Sequence, residues 1–415
     1  MTSENRQRDM APWPSYSQQE IDAVSDVLSG GKVNYWTGEE NRSFEKEFAE
    51  YCETRYAVAV ANGTVALQLG LQAASIGPGD EVIVTPRSFI ASASCVVLCG
   101  ATPVFADVDP VSQNITAETA RAVLTPATRA IIAVHHAGWP CEMDELMALA
   151  DEHNLVIVED CAQAHGASYK GKMVGGIGHF GAFSFCQDKI ITTGGEGGMI
   201  VTNDADIWQR TWSYKDHGKS FDAVFKRSHK PGFRWLHESF GSNERMTEMQ
   251  AAIGRIQIRK LPQWRIQRAR NAQQLSRVLG VYEAVTIPDV PDHIEHAFYR
   301  FYVTVDSAKL ADGWDRDRIA DTLNRKGVPV FSGSCPEIYR EKAFDQTSFR
   351  PSVPLSAARK LGDESLAFLV HPTLTESDMC FVCDTIEAVM AEASVSTIGD
   401  AAFATKVDRS PAANT

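Results

Sequence analysis

The residues best suited to covalent chemistry lie between Val156 and Asp204. An apolar run, Leu155 to Val158, leads directly into Glu159 and Asp160, so a strand there presents at least one carboxylate at its carboxyl end. Taken alone, Asp160 also admits a lesser reading as the cap of the following helix. Lys189 follows a second apolar run and abuts a Gly-rich turn, Thr192 to Gly198, whose glycines let the backbone approach another group closely. Partial burial there is expected to lower the pKa of the lysine, and the neutral amine so favoured attacks carbonyl groups to form imines. A carboxylate in the same site would be the natural partner of a pyridinium nitrogen. Asn62, Gly63 and Thr64 follow a strand and open a helix, which suits either phosphate binding at the positive helix end or ordinary N-capping. Ser184 could add a hydroxyl to the same group or simply fill a buried strand position.

These residues need a scaffold, and the pattern from Thr54 to Asp204 supplies one. Strand-like runs at 57–61, 81–85, 102–107, 130–134, 155–160, 182–186 and 198–202 alternate with helical segments at 64–75, 90–99, 116–123 and 143–154. The expected class is α/β, a mostly parallel sheet flanked by helices, with ligands at its carboxyl edge. Beyond it, 246–278 reads as one or two long helices interrupted near Pro262. A Pro- and Asp-rich stretch, 287–295, then leads into a smaller C-terminal α+β lobe, with strands at 296–305 and 328–332 and helices at 316–326, 356–368 and 376–391. The expected division is a large domain with an N-terminal arm over 1–285, a small domain over 286–391 and a disordered tail over 392–415.

Three motifs invite other chemistry. Gly176, Gly178 and Gly181 match the dinucleotide-binding GxGxxG, but they precede a strand, whereas that fingerprint follows one and opens a helix. His135 and His136 have no metal-ligand partner at the usual spacing, and Cys380 and Cys383 form a lone CxxC within a helical pattern, so no metal is expected.

The whole chain, 415 residues with 44% apolar and 22% charged, can bury a large core. Its net charge of −13 argues against nucleic acid and anionic membranes. The absence of an apolar run of bilayer length or of a signal-peptide pattern makes cytoplasm the expected compartment, and the nine cysteines read as reduced thiols. Lys215, Lys219, Lys226, Arg227, Lys230 and Arg234 run against the acidic balance; the segment is either a solvated loop or an anion-binding one.

Together the residues resemble the DegT/DnrJ/EryC1/StrS family of sugar aminotransferases, fold-type I (aspartate aminotransferase-like) pyridoxal-phosphate enzymes, over about Trp36 to Leu374. The similarity is most specific in Glu159 to Ala167, in Phe183 to Phe185 with Lys189 to Asp204, and in Gly241 to Gly254. The resemblance implies that Lys189 carries pyridoxal 5'-phosphate as a Schiff base, that Asp160 meets the pyridine nitrogen and that Gln163 lies beside the phenolic oxygen. It further implies that Phe89 stacks on the ring, that Gly63, Thr64 and Ser184 hold the phosphate, and that Asn243 reaches the phosphate of a neighbouring subunit in a homodimer. Lys215, His217, Lys219 and Arg234 would meet the diphosphate of a nucleotide sugar. The implied reaction is ping-pong, with pyridoxamine 5'-phosphate as the intermediate form and glutamate as donor. By family frequency the acceptor is a 4-keto-6-deoxyhexose, then a 3-keto sugar, then a keto-cyclitol. Sugar dehydratases of the family carry histidine where this chain has Lys189, and a noncatalytic cofactor-binding regulator would need a DNA-binding module that the sequence lacks. The sequence departs from the family at Cys161 and at Cys186, Gln187 and Asp188.

Overall fold

The computed structural model describes residues 10–397. The main sheet uses β1 (Tyr56–Val60), β2 (Glu81–Val84), β3 (Thr102–Phe105), β4 (Thr128–Val134) and β5 (Val156–Asp160). After a small hairpin, β6 (Ser168–Tyr169) and β7 (Lys172–Met173), it adds β8 (Phe180–Ser184) and β9 (Gly198–Thr202). Its order is β1-β9-β8-β5-β4-β2-β3. Strands β3, β2, β4, β5 and β8 are mutually parallel, and β9 runs against both β8 and β1. Six chain exits, after β1, β2, β3, β4, β5 and β8, therefore reach the same edge.

Helices cover both faces. Before the sheet come α1 (Gln18–Gly30) and α2 (Glu40–Tyr51); α3 (Gly63–Ala73), α4 (Ala91–Leu98), α5 (Ala117–Arg121) and α6 (Met143–His153) connect the early strands. Then α7 (Ala205–Tyr214), α8 (Phe221–Phe225) and the long α9 (Glu248–Leu279) follow β9. Strand side chains alternate between two cores: Val82, Val84, Ile132 and Val158 pack beneath α3 with Leu69 and Phe180, while Ile83, Ile131 and Ile157 pack against Leu146 and Leu149 of α6. Burial on both faces is why these strands read as continuous apolar runs. Gly70 lets α3 lie close to the sheet, since a Cβ there would come within 2.1 Å of the Phe180 ring.

The remaining strands are β10 (Val285–Thr286), β11 (Ile294–Glu295), β12 (Phe301–Val305), β13 (Val330–Phe331) and β14 (Ser365–Phe368). β10, β12, β14 and β13 form an antiparallel sheet in that order, and β11 joins β6 and β7 instead. Around the second sheet lie α10 (Arg316–Arg325), α11 (Ser356–Glu364) and α12 (Glu376–Ala393), with Val303, Leu366, Phe368, Ile319, Val382 and Ile386 in one cluster.

Several expectations change. Helix α9 continues through Pro262, which is exposed, while the neighbouring Ile258 and Leu261 are buried and anchor the helix to the core. Segment 356–368 splits at Ser365: its last four residues are buried and pair with β12 and β13, so strand pairing overrides the local helical pattern. The expected strand 296–305 begins only at Phe301, and 182–186 is displaced to 180–184. In the expected tail, α12 reaches Ala393 and Thr397 bridges to Tyr282; residues 398–415 lie outside the described region.

Candidate active site

The exits of the parallel strands assemble the site. Past β1, Asn62 caps α3 by accepting from the Val65 amide at 2.9 Å, leaving the Gly63 and Thr64 amides at the positive end of the helix. Ser184, at the end of β8, lies directly opposite, and a Cβ on Gly63 would come within 2.6 Å of the Ser184 Cβ. Antiparallel β9 brings Gly198 to the same place, where a side chain would strike the Asn62 carbonyl at 2.4 Å. Gly194 and Gly195, with φ of 84° and 120°, turn the preceding loop through the left-handed region. Two backbones and a helix end thus form an amide- and hydroxyl-lined cradle suited to a phosphate.

Asp160 closes β5. Its carboxylate accepts from Ser92 Oγ at 2.8 Å and from the Ala162 amide at 3.2 Å. Burial pushes its pKa above the ordinary range, against the pull of Ser92, Ala162, His135 and Lys189. Ser92 also ties Asp160 to the β2 exit, because its amide donates to the Phe89 carbonyl, and the Phe89 ring is 69% exposed. An exposed aromatic beside a buried carboxylate offers a stacking face for a flat ring. Gln163 is aimed by the β4 exit: its Oε1 accepts from the Ala137 amide at 2.8 Å, which leaves its amide hydrogens to donate elsewhere.

Lys189 lies on the loop after β8. Its carbonyl accepts from the Trp13 indole at 2.9 Å, and its Nζ sits 3.4 Å from Asp188 Oδ1 and 5.0 Å from the centre of the Tyr299 ring. The Tyr299 hydroxyl donates to the other Asp188 oxygen. The expected lowering of the lysine pKa is reversed here. Burial pulls it down, but Tyr299 and Asp188 outweigh burial and hold it above the ordinary value. Burial also raises Tyr299, which stays protonated at neutral pH, so the charge facing the ammonium is that of Asp188. Beside this group opens a cavity of about 360 Å³ lined by Trp13, Asp188, Arg268, Tyr299, Arg300 and His371, among others.

Of the basic segment, Lys215 turns inward. It is fully buried with Nζ 3.7 Å from the centre of the Tyr35 ring, and burial pushes its pKa down to about 8 despite Glu45 and Asp216, so it faces no diphosphate. Lys219 bonds to Asp216 at 2.9 Å and lies over Trp36. His217 and Arg234 are exposed, the former with φ 58°. Asn243 is exposed on a strand-like segment bridged to Asp216, remote from any contact with Lys189 in its own chain.

The motifs set aside have structural work. Glu159 accepts from the amides of Gly175, Ile177 and Gly178 at 2.7–2.8 Å, so the GxGxxG segment wraps an internal carboxylate. His135 does have partners at ligand distance that spacing did not reveal: its donor atoms, Glu159 and Cys161 lie within 4.8 Å of one another. Its Nε2 meets Glu159 at 3.0 Å and its Nδ1 accepts from the Cys141 amide, so both nitrogens are engaged. Sequence reading missed Ser92, Tyr299, Arg268, Arg300 and Trp13, and no local motif marks them.

The strand exits thus place a lysine, a buried carboxylate and an amide-lined cradle along the carboxyl edge of an α/β sheet. The sequence profile of the DegT/DnrJ/EryC1/StrS aminotransferase family matches residues 14–387. GDP-perosamine synthase of Caulobacter vibrioides is 37% identical over 357 residues, covering 84% of this chain and 89% of that protein. The dTDP-3-amino-3,4,6-trideoxy-alpha-D-glucose transaminase of Streptomyces venezuelae is 35% identical, over 88% of this chain and 90% of its own. The crystal structure of an aminotransferase from Psychrobacter cryohalolentis superposes with a TM-score of 0.91 at 56% identity, covering 92% of this chain and 99% of that one. The chain belongs to the DegT/DnrJ/EryC1/StrS aminotransferase family, and it is an aminotransferase.

Proposed function

We propose that this aminotransferase moves an amino group from glutamate to a nucleotide-linked keto sugar, with pyridoxal 5'-phosphate held at the carboxyl edge of the main sheet. The convergence of Lys189, Asp160 and the cradle of Gly63, Thr64 and Ser184 carries this reading. Pyridoxal phosphate, when bound, supplies an aldehyde for an amine and a ring that accepts the electrons of a carbanion. Asp160, buried from bulk water, would hold the ring nitrogen and keep a proton there. Gln163 would donate to the phenolic oxygen, and Phe89 would offer its ring for stacking. Lys189 Nζ would take and return the substrate proton, and would first have to surrender the proton that Asp188 favours.

Glutamate fits the cavity beside Lys189, whose lining includes Arg268 and Arg300; Arg268 Nε and Arg300 Nη1 have no hydrogen-bond partner among the described residues, while Arg268 Nη1 donates to the Phe298 and Tyr299 carbonyls. Guanidinium groups of this kind favour carboxylates. The acceptor is a 4-keto-6-deoxyhexose linked to a nucleotide, met by His217 and Arg234 on the exposed basic segment; Asn243 completes the phosphate site of a second copy in a homodimer. The described chain divides near residue 285 into a large and a small domain, with β10 already in the small one and β11 returning to the large one, and the described residues contain no helix long and apolar enough to cross a membrane, which suits work in the cytoplasm.

The test is direct. Purified protein is incubated with glutamate and a panel of nucleotide 3-keto and 4-keto sugars, and products are read by mass spectrometry. Amino-sugar formation, reduced at least ~1000-fold in Lys189→Ala, is the expected result. No amino transfer to any nucleotide sugar removes the substrate class, and undiminished turnover in the variant removes the lysine.

A further inference from the structure

Asp188 immediately precedes Lys189, in the short stretch where the sequence departs from its relatives. It is not a passive surface acid. One oxygen accepts from Tyr299, which lies just before β12, and the other faces Lys189 Nζ at 3.4 Å. Contact with Tyr299 comes from a segment 111 residues away and fixes a side chain that is itself 49% exposed. We propose that Asp188 is a positioning residue for Lys189, its carboxylate clamped by Tyr299 so that it faces the lysine nitrogen and holds positive charge on it.

The surrounding groups decide whether another residue could do this. Asp160 and His165 both feel the Lys189 charge, from the β5 side. His165 is buried and pushed down to about 3 by burial, with Lys189 and Arg268 adding to it, so it stays neutral and offers no negative charge. Asp160 is occupied by Ser92 and the Ala162 amide. Tyr299 keeps its proton, and Arg268 and Arg300 on the cavity wall would repel an ammonium. That leaves Asp188 as the anion in contact with Nζ, and its own pKa is depressed: burial would raise it, but Lys189 and Tyr299 more than reverse this. The inference rests on Lys189 being the lysine that joins the cofactor. When its nitrogen is joined to an aldehyde carbon, positive charge on that nitrogen makes the carbon more electrophilic toward an incoming amine. When the lysine is free, the same carboxylate keeps it beside the site as an ammonium.

The test follows the pH dependence of the visible absorbance of the full-length protein reconstituted with pyridoxal phosphate, since the protonated and neutral forms of a lysine–cofactor link differ in colour. In Asp188→Asn the pH at which the protonated band is half lost should fall by about one unit or more, the size expected when an opposite charge at this range is removed. Asp188→Glu should restore most of the shift. An unmoved midpoint in the Asn variant overturns the proposal, and so does a shift that Glu fails to restore, which would signal a structural role. If the Asn variant takes up no cofactor, the rate at which an acylating reagent labels Lys189 against pH in the cofactor-free protein decides: a lower midpoint than in the parent supports the proposal, an equal one ends it. Borohydride reduction that fixes the cofactor to a residue other than Lys189 would instead sink the lysine assignment, a failure distinct from that of Asp188.

Discussion

Two neighbouring carboxylates at the end of β5 receive opposite tasks because successive strand residues point to opposite faces. Glu159 is turned toward His135 and three backbone amides, all within the protein, and every partner it has is structural. Asp160 is turned toward Ser92 and the Ala162 amide, at the sheet edge where the proposed cofactor would sit. The two are separable by experiment. Asp160→Asn should lower amino transfer by roughly 100-fold or more while leaving the urea midpoint near that of the parent. Glu159→Gln should cost about 2–4 kcal/mol in urea unfolding, because one carboxylate oxygen becomes a donor facing amide donors. The sequence already placed an acid at this strand end and a lysine after β8, since each signal is contained in a run of a few residues. Which acid faces the site depends on the parity of the strand relative to its two cores, and that parity is set by packing against α6 on one face and against α3, far away along the chain, on the other.

Among the elements, α3 does most to build the site, since its amino end is half of the cradle and its body rests on β8 through Gly70. Gly70→Ala places a methyl group inside the van der Waals radius of Phe180. Overpacking of this kind should lower stability by about 1–3 kcal/mol in urea unfolding. It should also weaken cofactor retention measured by dialysis, because the helix must move away from Ser184 as it moves away from the sheet. The early strands were legible because apolar runs bounded by Gly, Asp and Asn match a sheet buried on both faces. β14 was not: Ser365 to Phe368 continue a helical pattern, and only the open slot between β12 and β13 makes them a strand. Pro262 misled for the opposite reason, since packing along most of a helix of 32 residues outweighs the roughly 3 kcal/mol that an interior proline costs.

At the scale of the molecule, buried imidazoles set a limit on acid tolerance. Burial pushes His165 to about 3 and His371 to about 4, with Arg268 adding to both, whereas the unfolded chain titrates near the ordinary value of 6.5. Below 6.5 the unfolded chain takes up protons that the folded chain refuses, so stability present above that pH is lost as the pH falls toward 4. The loss is on the order of 3 kcal/mol for each residue by pH 4. Urea unfolding between pH 7 and pH 4 should show this decline, and His165→Asn should flatten its share of it. The long-range contacts around Lys189 belong to this scale too. Trp13 and Tyr299 reach the lysine loop from 176 and 111 residues away along the chain, distances over which no local pattern carries information.

The indole of Trp13 bonds to the Lys189 carbonyl, lies 5.2 Å from the Arg268 guanidinium and forms part of the cavity wall. Nature has thereby installed a fluorophore at the mouth of the chemistry. Ultraviolet-excited emission should change on adding glutamate to the protein, and the change should shrink in Trp13→Phe, giving a stopped-flow record of amino-acid entry without any added dye.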